Sequence, residues 1–138
     1  MTNFKVIFVL NLILTAGCAA GTPYEKINPA PDKAAVYVYR PMHLAGGGLT
    51  PKVYCGGAMT QLSPGVYHRF EVAPGQIACT SSYIDPGNHE EVDLEVAPGH
   101  DYYVKETIGM GILVGRVHLA LVDPEYGQGE AEKCKQQP

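Results

Sequence analysis

The stretch "EEVDLEVAPGHDYYVKETI" (Glu90–Ile108) joins two extended runs through one corner. Up to Val96 the pattern has a period of two. Val92, Leu94 and Val96 fall on one face, and Glu91, Asp93 and Glu95 on the other. That alternation marks a half-buried antiparallel β-strand. "APG" (Ala97–Gly99) then interrupts it. Proline presets φ near about −65° for the first central residue of a type II turn, and glycine supplies the positive φ of the second. Strand character resumes from His100. The same corner occurs earlier in the chain: "EVAPGQ" (Glu71–Gln76) matches "EVAPGH" (Glu95–His100), and Pro64-Gly65 makes a third. The repeat reads as scaffold, a joint that this kind of fold writes more than once.

Working outward from the corners gives further strands. "AAVYVYR" (Ala34–Arg40) alternates around Val36 and Val38 and stops at Pro41. Pro51–Cys55 and Ala58–Leu62 flank Gly56-Gly57, and Met42–Thr50 is a flexible loop. Val66–Val72 and Gln76–Tyr83 flank the first "APG", Asp85–Asn88 turns again, and Ile112–Asp123 closes the series with Val117, Leu119 and Leu121 facing inward. Only Gln128–Lys135 reads as helical. Turn signals at intervals of roughly 8–12 residues are the signature of a sandwich. The expected fold class is mainly β: a single antiparallel β-sandwich of about seven or eight strands with a short C-terminal helix.

Composition agrees. The chain has 138 residues, 46% hydrophobic and 17% charged, which suits one domain and excludes a disordered composition. Its 16 glycines and 11 prolines are dispersed, as short strands and tight turns require. The formal charge is −4, and the basic residues are scattered singly, which argues against a nucleic-acid partner.

The N-terminus has a separate character. Lys5 precedes the apolar run "VIFVLNLILT" (Val6–Thr15), which is too short for the roughly 20 residues of a membrane span. It matches the apolar core of a secretory signal. The run ends in "LTAGC" (Leu14–Cys18), where Ala16 and Gly17 before a cysteine form the lipobox pattern of bacterial lipoproteins; Thr15 stands where leucine is more usual. The expectation is a signal peptide over 1–17, a diacylglyceryl group on the Cys18 thiol, and cleavage between Gly17 and Cys18. Each buried methylene contributes about 0.8 kcal/mol, so more than one acyl chain anchors durably to a membrane. Ala19, rather than aspartate, follows the cysteine and points to the outer membrane, facing the periplasm. "AAGTPYEKINPAPDK" (Ala19–Lys33) completes a lipidated tether over 18–33, expected to be extended and solvated and to hold the domain, 34–138, off the lipid surface.

With Cys18 acylated, Cys55, Cys79 and Cys134 face an oxidising compartment. Cys55 follows Val53 on one inward parity and Cys79 follows Ile77 on another, so a Cys55–Cys79 bond would join core positions and leave Cys134 an exposed odd thiol. The alternative pairs Cys134 with either one through the C-terminal helix.

No metal or cofactor is expected. His43, His68, His89, His100 and His118 show no ligand spacing with one another or with the cysteines. Ser63 is a turn residue, Ser81-Ser82 lie on a strand, and no G-x-S-x-G elbow occurs. "GGG" (Gly46–Gly48) lacks the Lys-Ser/Thr of a phosphate loop. Tyr37 and Tyr39 share the face opposite Val36 and Val38. They read either as cross-strand packing with hydroxyls in water or as an exposed stacking surface for glycan or a partner's edge strand.

The order of these motifs resembles small bacterial lipoproteins with domain of unknown function 2846. The resemblance rests on "AAVYVYRP" (Ala34–Pro41), "KVYCGG" (Lys52–Gly57), "SPGVYHRFEVAPGQ" (Ser63–Gln76), "EVAPGHDYYV" (Glu95–Val104) and "GMGILVGRVHLALVD" (Gly109–Asp123). It implies a compact sandwich in the style of transthyretin-like and PEGA-type modules, with no catalytic residues to carry over. The functional expectation is a non-catalytic, lipid-anchored envelope module that binds or supports another envelope protein. The alternative is a peptidoglycan-binding module that uses Tyr37 and Tyr39.

Overall fold

The corner at Ala97–Gly99 does not close a hairpin; it carries the chain from one sheet to the other. The computed structural model describes residues 21–43, 47–110 and 115–137. Among them the elements run β1 (Ala34–Arg40), β2 (Lys52–Cys55), β3 (Ala58–Gln61), β4 (Val66–Val72), β5 (Gly75–Tyr83), β6 (Asp85–Val96), β7 (Asp101–Gly109), β8 (Arg116–Val122), α1 (Pro124–Ala131) and β9 (Lys135–Gln136). One sheet has the order β8-β7-β1-β4-β9, the other β3-β2-β5-β6. The corners at Pro64-Gly65, Pro74-Gly75 and Pro98-Gly99 therefore link different sheets: β3 to β4, β4 to β5, and β6 to β7. Their glycines have φ of +74° (Gly65), +121° (Gly75) and +76° (Gly99), a region open to glycine at little cost. Pro86-Gly87, expected to turn, instead lies within β6, and the chain passes from β5 to β6 at Ile84. In the repeated "EVAPG", Val72 and Val96 both end their strands inside the core between the sheets, so the letters encode a core valine followed by a change of sheet.

Antiparallel pairing dominates, with two exceptions. β1 lies parallel to β7, and β9 parallel to β4. The chain between β1 and β7 builds the second sheet plus β4, which supplies the long connection that parallel neighbours need. β1 is central and buried along its whole length. Val36 and Val38 enter the core between the sheets, while Ala35, Tyr37 and Tyr39 enter a second cluster on the outer face.

Two segments cover that outer face. Residues 21–33 are not a free tether, although most of them stay exposed to solvent. They form a strap across the sheet, with Tyr24 against Tyr67 and Tyr37 at ring separations of 5.1 and 5.7 Å. The prolines, small residues and lack of periodicity that suggested a tether are overridden by this one ring and by backbone hydrogen bonds. The second cover is α1, which begins four residues before the helix expected at Gln128. Asp123 caps it by accepting from the Glu125 and Tyr126 N–H groups at 3.0 and 3.3 Å, and Pro124 occupies the first turn. A Cβ on Gly127 would lie 2.3 Å from Tyr103 Cβ, so glycine is what lets the helix sit this close to β7.

The facing edges of the two sheets, β6 and β8, are closed by side chains. Asn88 on β6 donates to the Gly115 carbonyl (2.8 Å) and accepts from Val117 N–H (3.1 Å), and Glu90 accepts from Leu119 N–H (3.0 Å). These bonds satisfy backbone groups of β8 that would otherwise offer a free edge. Val117 and Leu119 face inward as expected, but Leu121 is exposed near the end of this edge strand.

Cys55 and Cys79 are directly opposed on β2 and β5 and form a disulfide, with a Cα separation of 4.3 Å. Both lie in the core, but in adjacent strands of one sheet. Closing this loop contributes about 3 kcal/mol by restricting the unfolded chain. The Cys55→Ser/Cys79→Ser protein is therefore expected to lose stability on that order in denaturant unfolding, and reductant is expected to destabilise the native protein similarly. An unchanged midpoint in both experiments would contradict the assignment.

Candidate functional site

The tyrosine face is closed, and this corrects the reading of Tyr37 and Tyr39 as an exposed stacking surface. Both side chains are fully buried, together with Tyr67 and Tyr103. Tyr37 and Tyr103, opposite each other on β1 and β7, stack at 5.1 Å with an interplanar angle of 12°. The hydroxyls do not reach water for a glycan; each holds a covering segment. Tyr37 accepts from Ile27 N–H and donates to the Ile27 carbonyl, both at 3.2 Å. Tyr67 accepts from Glu25 N–H at 3.1 Å, and Tyr24 and Tyr103 share a hydroxyl–hydroxyl bond of 2.9 Å. Tyr39 donates to Glu130 on α1 at 2.6 Å. Burial pushes the Tyr24 and Tyr39 hydroxyls well above the usual phenol range, so both remain protonated.

Glu130 gathers the helix contacts. Besides Tyr39 it accepts from Lys105 Nζ and Tyr126 Oη, each at 2.9 Å. Burial alone would raise its pKa, but these three donors outweigh burial and lower it. Burial likewise pulls Lys105 down, while Glu130 and Tyr126 raise it on balance. The cluster is an ionised clamp that docks α1 on the sheet.

A second polar cluster lies inside the sandwich, and the sequence reading missed it. Arg40 ends β1, Ser81 lies on β5 and Glu106 on β7, and all three are buried. Arg40 Nη1 donates to the Leu49 and Leu62 carbonyls at 2.6 and 3.1 Å. Ser81 Oγ donates to Glu106 Oε1 across the two sheets, while Glu106 Oε2 has no hydrogen-bond partner among the described residues. Burial raises the Glu106 pKa to about 7, although the Ser81 hydrogen bond and the Arg40 charge act in the opposite direction. A serine beside a carboxylate has the elements of a nucleophile and base. Here both side chains are sealed from solvent, so the pair serves as a polar cross-link between sheets.

The cluster had a sequence signal. Val36-Val38-Arg40, Ile77-Cys79-Ser81 and Tyr102-Val104-Glu106 each follow one inward parity that ends on a polar residue. Two of those residues carry opposite charges.

The remaining candidates disperse. Cys18 lies outside the described residues. Cys134 is not an exposed thiol: it is free but buried, with Sγ directed at the Arg40 carbonyl at 3.8 Å, and burial raises its pKa to about 11. His68 is half-buried, edge-on to Phe70 at 4.6 Å, with its pKa lowered by burial. His43, His89, His100 and His118 are exposed, as are Glu91, Asp93 and Glu95. Among the described residues no three His, Cys, Asp or Glu side chains are grouped to hold a metal ion. A cleft of about 370 Å³ between strap, β7 and α1 is lined by Lys26, Asp101, Glu125 and Glu132, charges of both signs, and is crossed by a Lys26–Asp101 ion pair of 3.6 Å. No protein-family model, curated protein or solved structure matches the chain.

Glu106 makes stability depend on pH. Its folded pKa is raised from 4.5 to about 7, so the folded state holds a proton that the unfolded chain releases across that window. Stability should fall as pH rises through the window, by roughly 3 kcal/mol in all, and level off above it. Denaturant unfolding between those limits should show the slope in the native protein and its loss in Glu106→Gln. A slope that survives the substitution would refute this origin.

Proposed function

We propose that the protein is a non-catalytic, lipid-anchored module of a bacterial cell envelope. It is held on the outer membrane through Cys18 and works by binding or bracing another envelope protein. The observation that carries the reading is "LTAGC" at the end of a short apolar run. The Cys55–Cys79 disulfide supports an oxidising compartment such as the periplasm. The only serine–carboxylate pair noted above is sealed within the core, and no cofactor or nucleic acid enters the reading.

The same geometry weighs against peptidoglycan recognition by Tyr37 and Tyr39. Their rings lie beneath the strap and α1, and their hydroxyls are already bonded within the chain. A partner meets loops or strand edges, not this face.

Metabolic labelling with a fatty acid tests the anchor. The native protein should incorporate label and sediment with membranes, whereas Cys18→Ser should do neither. Label retained in Cys18→Ser would overturn the assignment.

A further inference from the structure

We infer that the end of the sandwich where the strap begins is a membrane-docking face that seats on anionic phospholipid. The inference rests on the lipid anchor proposed above and adds an orientation to it. β1 and β7 finish at this end, and β2, β4 and β8 start there: Arg40 pairs with Val66, Gly109 with Arg116, and Arg40 also bonds to the carbonyls of Leu49 and Leu62.

The strap enters at the same end. Thr22 O accepts from Gln136 N–H at 2.7 Å, and Pro23 is bridged to Lys135, itself paired with Val66. From there the strap runs down the sheet to β1. Cys18 precedes Gly21 by only three residues, and a chain extends by at most about 3.5 Å per residue. An acylated Cys18 therefore lies within about 10 Å of this end. Such a short leash holds the domain at the lipid surface, contrary to the spacer role expected of 18–33.

The surface at this end suits that position. Among the described residues, Met42, Ile84 and Met110 are its most exposed apolar residues, with relative exposures of 73%, 82% and 92%. Ile84 joins β5 to β6 with φ of +55°, a conformation that disfavours a β-branched residue, yet it presents its side chain to solvent. Strain combined with an exposed apolar side chain points to a selected contact. Lys52, Arg116 and Lys135 are exposed at the same end, brought together from three strands of a chain whose basic residues are scattered. The exposed carboxylates Glu71, Glu95, Asp123 and Glu125 lie toward the opposite end. Apolar tips flanked by these cations complement a layer of anionic headgroups, although Asp85 begins β6 at this end and the exposed Glu25 lies on the strap near it. Each cation near such a surface strengthens attachment on the order of fivefold.

The chain contains no tryptophan, so one introduced residue is a unique fluorescent reporter. Met110→Trp and, at the far end, His100→Trp would each be purified as the mature acylated protein. Both would be reconstituted in vesicles of phosphatidylethanolamine and phosphatidylglycerol carrying brominated acyl chains. Docking predicts several-fold stronger quenching in Met110→Trp than in His100→Trp, and a reduced difference when Lys52→Glu and Arg116→Glu are added. Circular dichroism verifies the fold of each variant. Mass measurement of the N-terminus reads the anchor independently. An acylated Cys18 with equal quenching at both positions would refute docking and leave the anchor standing. A chain lacking acylation would overturn both.

Discussion

Burial of β1 on both faces is the constraint on which the rest of the structure depends. An ordinary sandwich strand shows one face to the core and one to water. Here "AAVYVYR" has no charge before Arg40, and each of its faces meets a separate cluster of buried residues. Aromatic rings can be buried on the outer face only if their hydroxyls find partners. The chain meets that requirement from both sides of its own sequence. The strap arrives before β1 and α1 after β8, and each is fastened by tyrosine hydroxyls. The result is a sandwich with a third layer on one sheet.

The two ends of the sandwich are closed by different means. Each end has two chain crossings between the sheets; at the far end they are the two "EVAPG" corners, which lie side by side with Gly75 pairing with Val96. At the strap end the loops are longer, and side chains hold the sheets together. Arg40 ties Leu49 and Leu62 to β1, Ser81 and Glu106 bridge the sheets, and Asn88 binds the start of β8. A buried carboxylate with one unsatisfied oxygen costs stability that apolar packing would not. Its place beside the longest loops is consistent with a need to fix geometry there.

Much of the fold was legible because it rests on local chemistry. Period-two alternation located most strands, and Pro-Gly located three corners but also marked one at Pro86-Gly87 that lies within β6; inward parity favoured Cys55–Cys79 while leaving a pairing of Cys134 open. Turn chemistry specifies φ but not which sheet receives the next strand, so the corners could not be read as sheet crossings. Alternation likewise separates two faces of a strand without saying which is wet, and this hid the burial of Tyr37 and Tyr39. The helix start was written in Asp123-Pro124-Glu125, a cap the 3.6-residue pattern alone does not weigh. Residues 21–33 lack the apolar content of a packed element. Their order comes from one ring and a few backbone bonds to tyrosines distant in sequence, which no local pattern contains.

Those same bonds bear on how the proposed anchor would hold the domain. Under the anchor proposed above, tension from the membrane would reach the fold first at the Thr22–Gln136 bond and the Pro23–Lys135 bridge, then at Tyr24, Glu25 and Ile27 on their tyrosines. The load therefore falls on several bonds spread along the sheet before it reaches β1. The first of them involve β9, whose two residues are pinned to β4 and follow the turn that buries Cys134 against the Arg40 carbonyl. Entry strap, C-terminal strand and the end of β1 thus form one mechanical unit. A free, solvated tether would leave orientation to chance, whereas a strap bonded along a buried sheet would transmit the direction of the proposed anchor to the domain.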